Sequence, residues 1–302
     1  MAVVKVLRSK ALEVYIENKK GIDMKKLCYV FTFLFLSTCF AQDQVREIAI
    51  TIDDLPLVAS KMNTPGNIQR STERFAKIVQ AFKENNVPAT GFVIGGAIGR
   101  GQWAFIEQFR NAGLSVGNHT YSHKSVDSMG AERYIADVAR ADKVLTPVMT
   151  TPKYFRYPYL AEGNKTSKPM VLAYLHANHY IVAPVTIDSK DFQFNEQLYK
   201  VPFRAREAYI EKIKPRYLDY IWRETLRAEK RANGQPVKQI LLIHANLLNS
   251  YALNDVIQMY KKNGYKFISL NEALKNPAPA LKFTIPENTT MGEKLQKDVI
   301  AF

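Results

Sequence analysis

Three apolar runs in this 302-residue chain end on side chains that titrate. Glu47 to Ile52 alternates, is rich in β-branched residues and stops at Asp53-Asp54. Leu114 to Val116 passes through Gly117-Asn118 into His119 and, four positions on, His123. Gln239 to Ile243 is apolar from its second residue and stops at His244. Such runs read as strands, the last of the fully buried kind. Between them lie helical patterns: Phe75, Ile78, Val79 and Phe82 within 67–85, Trp103 to Asn111 ahead of Gly113, and Tyr134, Val138, Ala141 and Leu145 within 131–145. Ala89 to Ile94 adds a strand that ends in Gly95-Gly96, and a helix from Pro169 to Asn178 leads to a strand from Tyr180 to Pro184. The alternation predicts an α/β fold of parallel βα units, in which groups at the C-terminal strand ends gather on one face.

That face is where chemistry is expected. The chain has five histidines, and His119, His123 and His244 share the position just past a strand. His176 and His179 sit on a helix and its polar end, and are expected to take no part. The His119/His123 spacing alone is not decisive, because the metalloprotease form of His-x-x-x-His needs Glu after the first His and Thr120 stands there. Two adjacent carboxylates are costly to bury unpaired, so Asp53 and Asp54 suit a cation or a catalytic proton, although an Asx-type turn before Pro56 is a bland alternative. One carboxylate and two imidazoles with open positions suit Zn²⁺ in a hydrolase, and equally non-haem iron or cobalt. Arg156, between Phe155 and Tyr157, reads either as a surface cation–π contact or as a fixed charge holding one aspartate ionised.

Thiols are excluded from such a site. Both cysteines, Cys28 and Cys39, fall in a segment where Met24-Lys25-Lys26 precedes an apolar run from Leu27 to Leu36 and a small residue, Ala41. This pattern predicts a signal peptide over 24–41, cleaved after Ala41, behind an over-extended start at 1–23; an uncleaved anchor or lipid attachment at Cys39 are its rivals. The expected catalytic domain is 42–276, with a helical insertion at about 195–236 and a Pro-rich tail at 277–302. The formal charge is +14, and residues 1–41 carry seven Lys or Arg against three Asp or Glu, which leaves +10. A basic exported chain is attracted to anionic cell-wall glycans and membrane surfaces. No nucleic-acid recognition motif is present. Within the insertion, Phe203 to Ile213 and Arg216 to Ala232 read as two basic amphipathic helices broken at Pro215, suited to an anionic glycan, a membrane surface or plain solvent.

The ordered blocks are Thr51-Ile52-Asp53-Asp54, His119-Thr120-Tyr121-Ser122-His123, Arg156-Tyr157-Pro158-Tyr159, Asp188 to Phe192 and Leu242-Ile243-His244. Together they resemble the polysaccharide deacetylases of carbohydrate esterase family four, over roughly residues 47 to 270. The resemblance implies a distorted (β/α) barrel of about seven parallel strands in a single domain, and one divalent metal, usually Zn, with Co, Fe, Ni or Mn as alternatives. It implies Asp54, His119 and His123 as metal ligands, Asp53 as general base and Arg156 as the residue that holds it. It further implies His244 as catalytic acid tuned by Asp191, the Tyr159 backbone N–H at the oxyanion, Leu242 against the acetyl methyl, and Thr120 bracing the loop. Phe192, Leu160 and Ala245 stand where the family usually has Trp, Gly and an acidic residue, and the stretch from Asp191 to His244 is longer than expected.

The expected protein is therefore an exported, metal-dependent enzyme that hydrolyses the acetamide of N-acetylhexosamine residues in a peptidoglycan or chitin-like polysaccharide, releasing acetate. An O-acetyl esterase and a non-catalytic glycan-binding protein of the same fold are the alternatives. A two-His, one-carboxylate iron oxygenase is a remote fourth, with no co-substrate motif.

Overall fold

Strand β1 (Arg46–Leu55) carries the first motif block through the middle of the sheet. Ile48, Ala49, Ile50 and Ile52 are each at most 1% exposed, so both faces of the strand are covered. The computed structural model describes residues 45–275, apart from 58–61, 100, 234 and 236. The leader expected at 24–41, the start at 1–23, both cysteines and the 277–302 tail lie outside the described residues.

The other strands are β2 (Ala89–Val93), β3 (Ser115–Asn118), β4 (Lys153–Phe155), β5 (Tyr180–Val182), β6 (Ile187–Asp188), β7 (Gln239–His244) and β8 (Tyr265–Phe267). Seven strands run in the order β5-β4-β3-β2-β1-β7-β6, all paired in parallel, and curl into a half-barrel; β8 pairs with the start of β1. Helices α1 (Pro65–Asn85), α2 (Trp103–Asn111), α3 (Val126–Met129), α4 (Ala131–Leu145), α5 (Ser167–Ala177), α6 (Asp191–Tyr199), α7 (Arg206–Arg231), α8 (Asn249–Lys262) and α9 (Leu270–Lys275), with short 3-10 helices at Gly95–Ala97, Pro158–Leu160 and Phe203–Ala205, complete the described elements. The barrel-like α/β architecture expected above is the one observed.

The period of two along β1 divides its side chains. Ile48, Ile50 and Ile52 enter the main core with Phe75, Phe82, Phe109, Tyr217 and Ile257, between the sheet and the outer helices. Ala49 faces the interior with Phe92 and Ile240. In β7, Leu241 and Ile243 join the main core, which leaves Leu242 and His244 in phase with the inward-facing Ile240. Thus the alternation that buries the helix-facing residues aims Asp53, Leu242 and His244 at the interior.

Two expectations need correction. The strand expected from Tyr180 to Pro184 stops at Val182 as β5, and Asp188, expected to follow that strand, ends a separate short strand, β6, on the opposite edge of the sheet. Pro184, which has no N–H to give a ladder, lies in the four-residue link that joins them. The two insertion helices are one, because α7 runs 26 residues straight past Pro215. Ile210 and Ile213 before the proline, and Tyr217 and Ile221 after it, are buried on one face. Burying side chains of this size contributes about 1.5–3 kcal/mol each, which outweighs the roughly 3 kcal/mol cost of an interior proline. Tyr217 also donates to Asn249 Oδ1 of α8 at 2.9 Å, and Arg46 of β1 bonds Glu229 at 2.7 Å. Ahead of α9, Ser269 Oγ accepts from Glu272 N at 3.2 Å, while the Glu272 carboxylate is taken up by Lys275.

Candidate metal and acid-base site

Neighbouring residues of a regular strand point to opposite faces, so Asp53 and Asp54 should diverge. They do not, because Asp54 takes a φ of 62° and the register with β2 slips between Ile52 and Leu55. Asp is among the few residues that tolerate this left-handed conformation, and a bulge of this kind re-aims a side chain. Asp54 Oδ1 thereby comes 3.5 Å from His119 Nε2 and 3.2 Å from His123 Nε2. Ligand atoms of the three residues lie within 4.8 Å of one another. Asp54 Oδ1 is also buried and has no hydrogen-bond partner.

His119 is held by its far nitrogen. Nδ1 lies 2.8 Å from the carbonyl oxygen of Arg156, an acceptor, so Nδ1 carries the proton and Nε2 presents its lone pair to Asp54. Burial pushes the His119 pKa down to about 3, although Asp54 opposes this, so the ring stays neutral.

The loop that carries both histidines is braced from three sides. Thr120, at φ 65°, accepts from His123 N through Oγ1 at 3.0 Å, the bracing role expected for it. Gly95 N and Gly96 N donate to the carbonyls of Thr120 and Tyr121 at 3.0 and 2.8 Å. A Cβ on Gly96 would lie 2.5 Å from that Tyr121 oxygen, so only glycine allows the approach. Asp137 of α4 is the residue that sequence reasoning missed. Its Oδ2 accepts from Tyr121 N, Ser122 N and Ser122 Oγ at 3.0, 2.9 and 3.0 Å. Its charge at a buried helical position was the available signal. Replacing Asp137 with Ala strands two backbone donors, and is expected to weaken divalent-metal binding by about 10–100-fold, read by competition against a chromogenic chelator.

Arg156 is 1% exposed, which rules out the surface contact considered above. Its Nη1 lies 3.4 and 3.3 Å from the two oxygens of Asp53, Nη2 donates to Thr51 Oγ1 at 3.0 Å, and Nε to Ala183 O at 2.7 Å. Arg156 thus stands against Asp53 as expected, with both groups buried. Desolvation raises the Asp53 pKa, and the lowering by Arg156, the next largest influence, does not cancel it. Asp53 is thus a stronger base than an exposed carboxylate.

On the opposite lip, Asp191 is fully buried at the start of α6. Its Oδ1 lies 2.6 Å from His244 Nδ1, and its Oδ2 accepts from His244 N at 2.7 Å, from Asn246 Nδ2 at 2.9 Å and from Asn249 Nδ2. Burial lowers the His244 pKa, but the charge of Asp191 and its hydrogen bond outweigh that and lift it to about 10. Asp188, the other carboxylate of this block, is committed to Lys190 at 2.7 Å.

Asp53, Asp54, His119, His123, Tyr159, Leu242 and His244 line one cleft, with Leu160, Lys190 and Phe192 at its rim. Arg156 and Asp191 stand behind it as partners of Asp53 and His244. Tyr159 has a φ of 58° and a ring that is 71% exposed, 4.7 Å from the His123 ring. Phe192 meets His244 edge-on at 6.0 Å. His176 and His179 are not among the cleft residues, as expected.

The family model described as polysaccharide deacetylase matches residues 41–175. That span holds the candidate metal ligands Asp54, His119 and His123, with Asp53, Arg156 and Tyr159, and stops short of Asp191 and His244. A peptidoglycan-N-acetylglucosamine deacetylase of Bacillus cereus is 28% identical over 114 residues, 37% of this chain and 36% of that protein, so the chain spans about a third of this relative's length. A pseudoenzyme of the same esterase family from Bacillus anthracis superposes with a TM-score of 0.53 at 18% identity, covering 76% of this chain and 65% of that one. A peptidoglycan deacetylase of Bacillus subtilis gives a TM-score of 0.52 at 18% identity, covering 76% and 92%. The family model thus runs from before β1 to α5, somewhat under half of the chain, and the sheet curls as in these structures, so the chain is similar to the polysaccharide deacetylases and shares the fold of carbohydrate esterase family four.

Proposed function

We propose that this chain is a metal-dependent N-deacetylase of an N-acetylhexosamine polymer, with peptidoglycan as the first substrate to test. The observation that carries the reading is Asp54 Oδ1, buried without a hydrogen-bond partner and facing two imidazole Nε2 atoms. An unpaired buried carboxylate oxygen costs several kcal/mol unless a cation faces it. The donor set of two nitrogens and one oxygen, with no thiolate, fits Zn²⁺, and Co, Fe, Ni or Mn are the other ions to test. Asp54, His119 and His123 would hold the ion, which when bound lowers the pKa of water and polarises a carbonyl oxygen.

The residues supply the rest. Asp53, its basicity raised by burial and its orientation held by Arg156, takes the proton of the attacking water as the oxygen bonds to the acetyl carbon. The backbone N–H of Tyr159 stabilises the negative charge on the former carbonyl oxygen, and donors of this type are worth about 3 kcal/mol. His244, kept protonated by Asp191, delivers a proton to the sugar nitrogen as the C–N bond breaks. Leu242 receives the acetyl methyl. Acetate and a free amine result, with every proton accounted for between water, Asp53 and His244.

Pseudoenzymes occur among structures of this fold, so a likeness of fold leaves turnover open. Here the ligand, base and acid side chains are all present, which supports an active enzyme over a glycan-binding protein. The relatives named for peptidoglycan, together with the leader pattern at 24–41, support export to the cell wall. The test is acetate release from peptidoglycan and from N-acetylglucosamine oligomers by the chain beginning at Gln42. Release that chelator abolishes and Zn²⁺ restores is expected. If neither polymer yields acetate with any of the five metals, while glycan binding persists, the binding-protein reading replaces this one.

A further inference from the structure

The insertion between Asp191 and His244 has no role in the chemistry above, yet it builds one wall of a second cavity. α1 contributes Arg70, Arg74 and Lys77, and the turn leading into α7 contributes Arg204 and Arg206, around the exposed ring of Phe203. Glu73 and Glu207 are the only carboxylates in the lining, so the hollow carries three more positive than negative side chains.

None of these five cations forms an ion pair with any described carboxylate. Glu73, the nearest opportunity on α1, is instead bonded by Gln69 at 2.8 Å. Three of the cations lie against aromatic rings, Arg70 and Arg206 at 5.3 and 5.7 Å from the Phe203 centroid, Arg206 also at 4.9 Å from that of Tyr199, and Lys77 at 3.9 Å from that of Tyr251, while Arg70 and Arg206 donate only to the neutral acceptors Asn67 Oδ1 and Val201 O, at 2.6 and 3.2 Å. An aromatic face orients a guanidinium without neutralising it. Like charges gathered in a hollow repel one another, and in water a chain gains nothing by holding them together unless an anion enters.

We propose that this cavity binds a phosphate group, presented by an anionic phosphodiester polymer or as free phosphate. Guanidinium forks match the several oxygens of a phosphate better than they match a single acceptor, and four of the five cations are arginines. The site is independent of the catalytic reading, since none of its lining residues lines the catalytic cleft. Its position nonetheless suits a second grip on a wall polymer: Leu247, in this lining, follows directly on Asn246, in the cleft.

The test is calorimetric titration of the full chain with inorganic phosphate, and separately with a short poly(glycerol phosphate), each against sodium chloride at matched ionic strength. Two double variants are compared with the parent. Arg70→Gln with Arg204→Gln removes two charges from the cavity, and Lys143→Gln with Lys165→Gln removes two exposed charges elsewhere. Binding weakened about tenfold or more by the first pair and unchanged by the second is expected. Tighter binding of the polymer than of inorganic phosphate assigns the phosphodiester source, and the reverse assigns free phosphate. Equal weakening by both pairs, or no binding beyond the chloride control, overturns the proposal. Acetate release by the Arg70/Arg204 variant from small acetylated oligomers is expected to match the parent, which separates failure here from failure of the deacetylase reading.

Discussion

Replacing Asp191 with Asn is expected to cut amide hydrolysis by about 10³–10⁴-fold, as loss of the orienting carboxylate does in other acid-base pairs. The carboxylate makes two bonds to His244, one to the ring and one to the backbone, and its charge holds the ring pKa near 10 against burial. Without the charge, burial is the largest remaining influence, opposed only by the smaller raising effects of Asp53 and Asp54, so the pKa falls well below 10. In the proposed mechanism the protonated ring is the proton donor, so activity is expected below the folded pKa and lost above it. The alkaline limb of the pH-rate profile is therefore expected to move acidward by several units in Asp191→Asn. A bound divalent ion lowers the parent's limb from 10 but leaves the direction of the mutant's shift unchanged. The same raised pKa makes His244 protonation a stabilising contribution that is full below about pH 6.5 and gone once pH rises through 10. An unchanged limb would remove His244 from the acid role. An O-acetyl ester, whose alkoxide leaves more readily than an amine, should lose far less, which separates the two substrate classes.

The second large effect is on folding. Arg156→Met should destabilise the chain by about 3–5 kcal/mol, because it leaves Asp53 buried and unpaired. The loss extends beyond the pair. Arg156, on the β4 side, also binds Thr51 of β1 and the carbonyls of Ala183 and Pro184 in the link between β5 and β6, so it ties three parts of the barrel mouth together. For a chain of this length the change corresponds to a melting temperature lower by roughly 10 °C. Adding Asp53→Asn removes the stranded charge and should restore part of the stability while leaving the enzyme inactive. If the single variant melts with the parent, Arg156 does not carry the pairing assigned to it.

The sequence reading succeeded where local pattern and global placement agree. Alternation in β1 and the apolar run of β7 announced both the strands and the face their terminal residues would take, since a period of two leaves little choice once one face is buried. It fell short where a side chain's direction depends on backbone conformation. Nothing in Asp53-Asp54 says that Asp54 adopts a positive φ, and without that turn the metal cluster would lack its carboxylate. Asp137 was missed for a related reason: its charge among the buried positions of α4 was a signal, but only the loop folded beside it shows the three donors that the charge serves. Pro215 misled because helix-breaking is a local rule, overridden here by four large side chains buried on one face. The Arg70–Arg206 cavity joins segments more than 120 residues apart, beyond the reach of any window.

The position of β1 also bears on how such a chain acquires its structure. β1, the first strand among the described residues, pairs with β2, β7 and β8, and β7 begins only at Gln239. Half of the central ladder, and the histidine opposite Asp53, wait for the last fifth of the described sequence. Contacts of such separation are slow to form and late to stabilise. A nascent segment that ends before residue 239 therefore has no completed sheet to lock it, and stays pliable until β7 has been made.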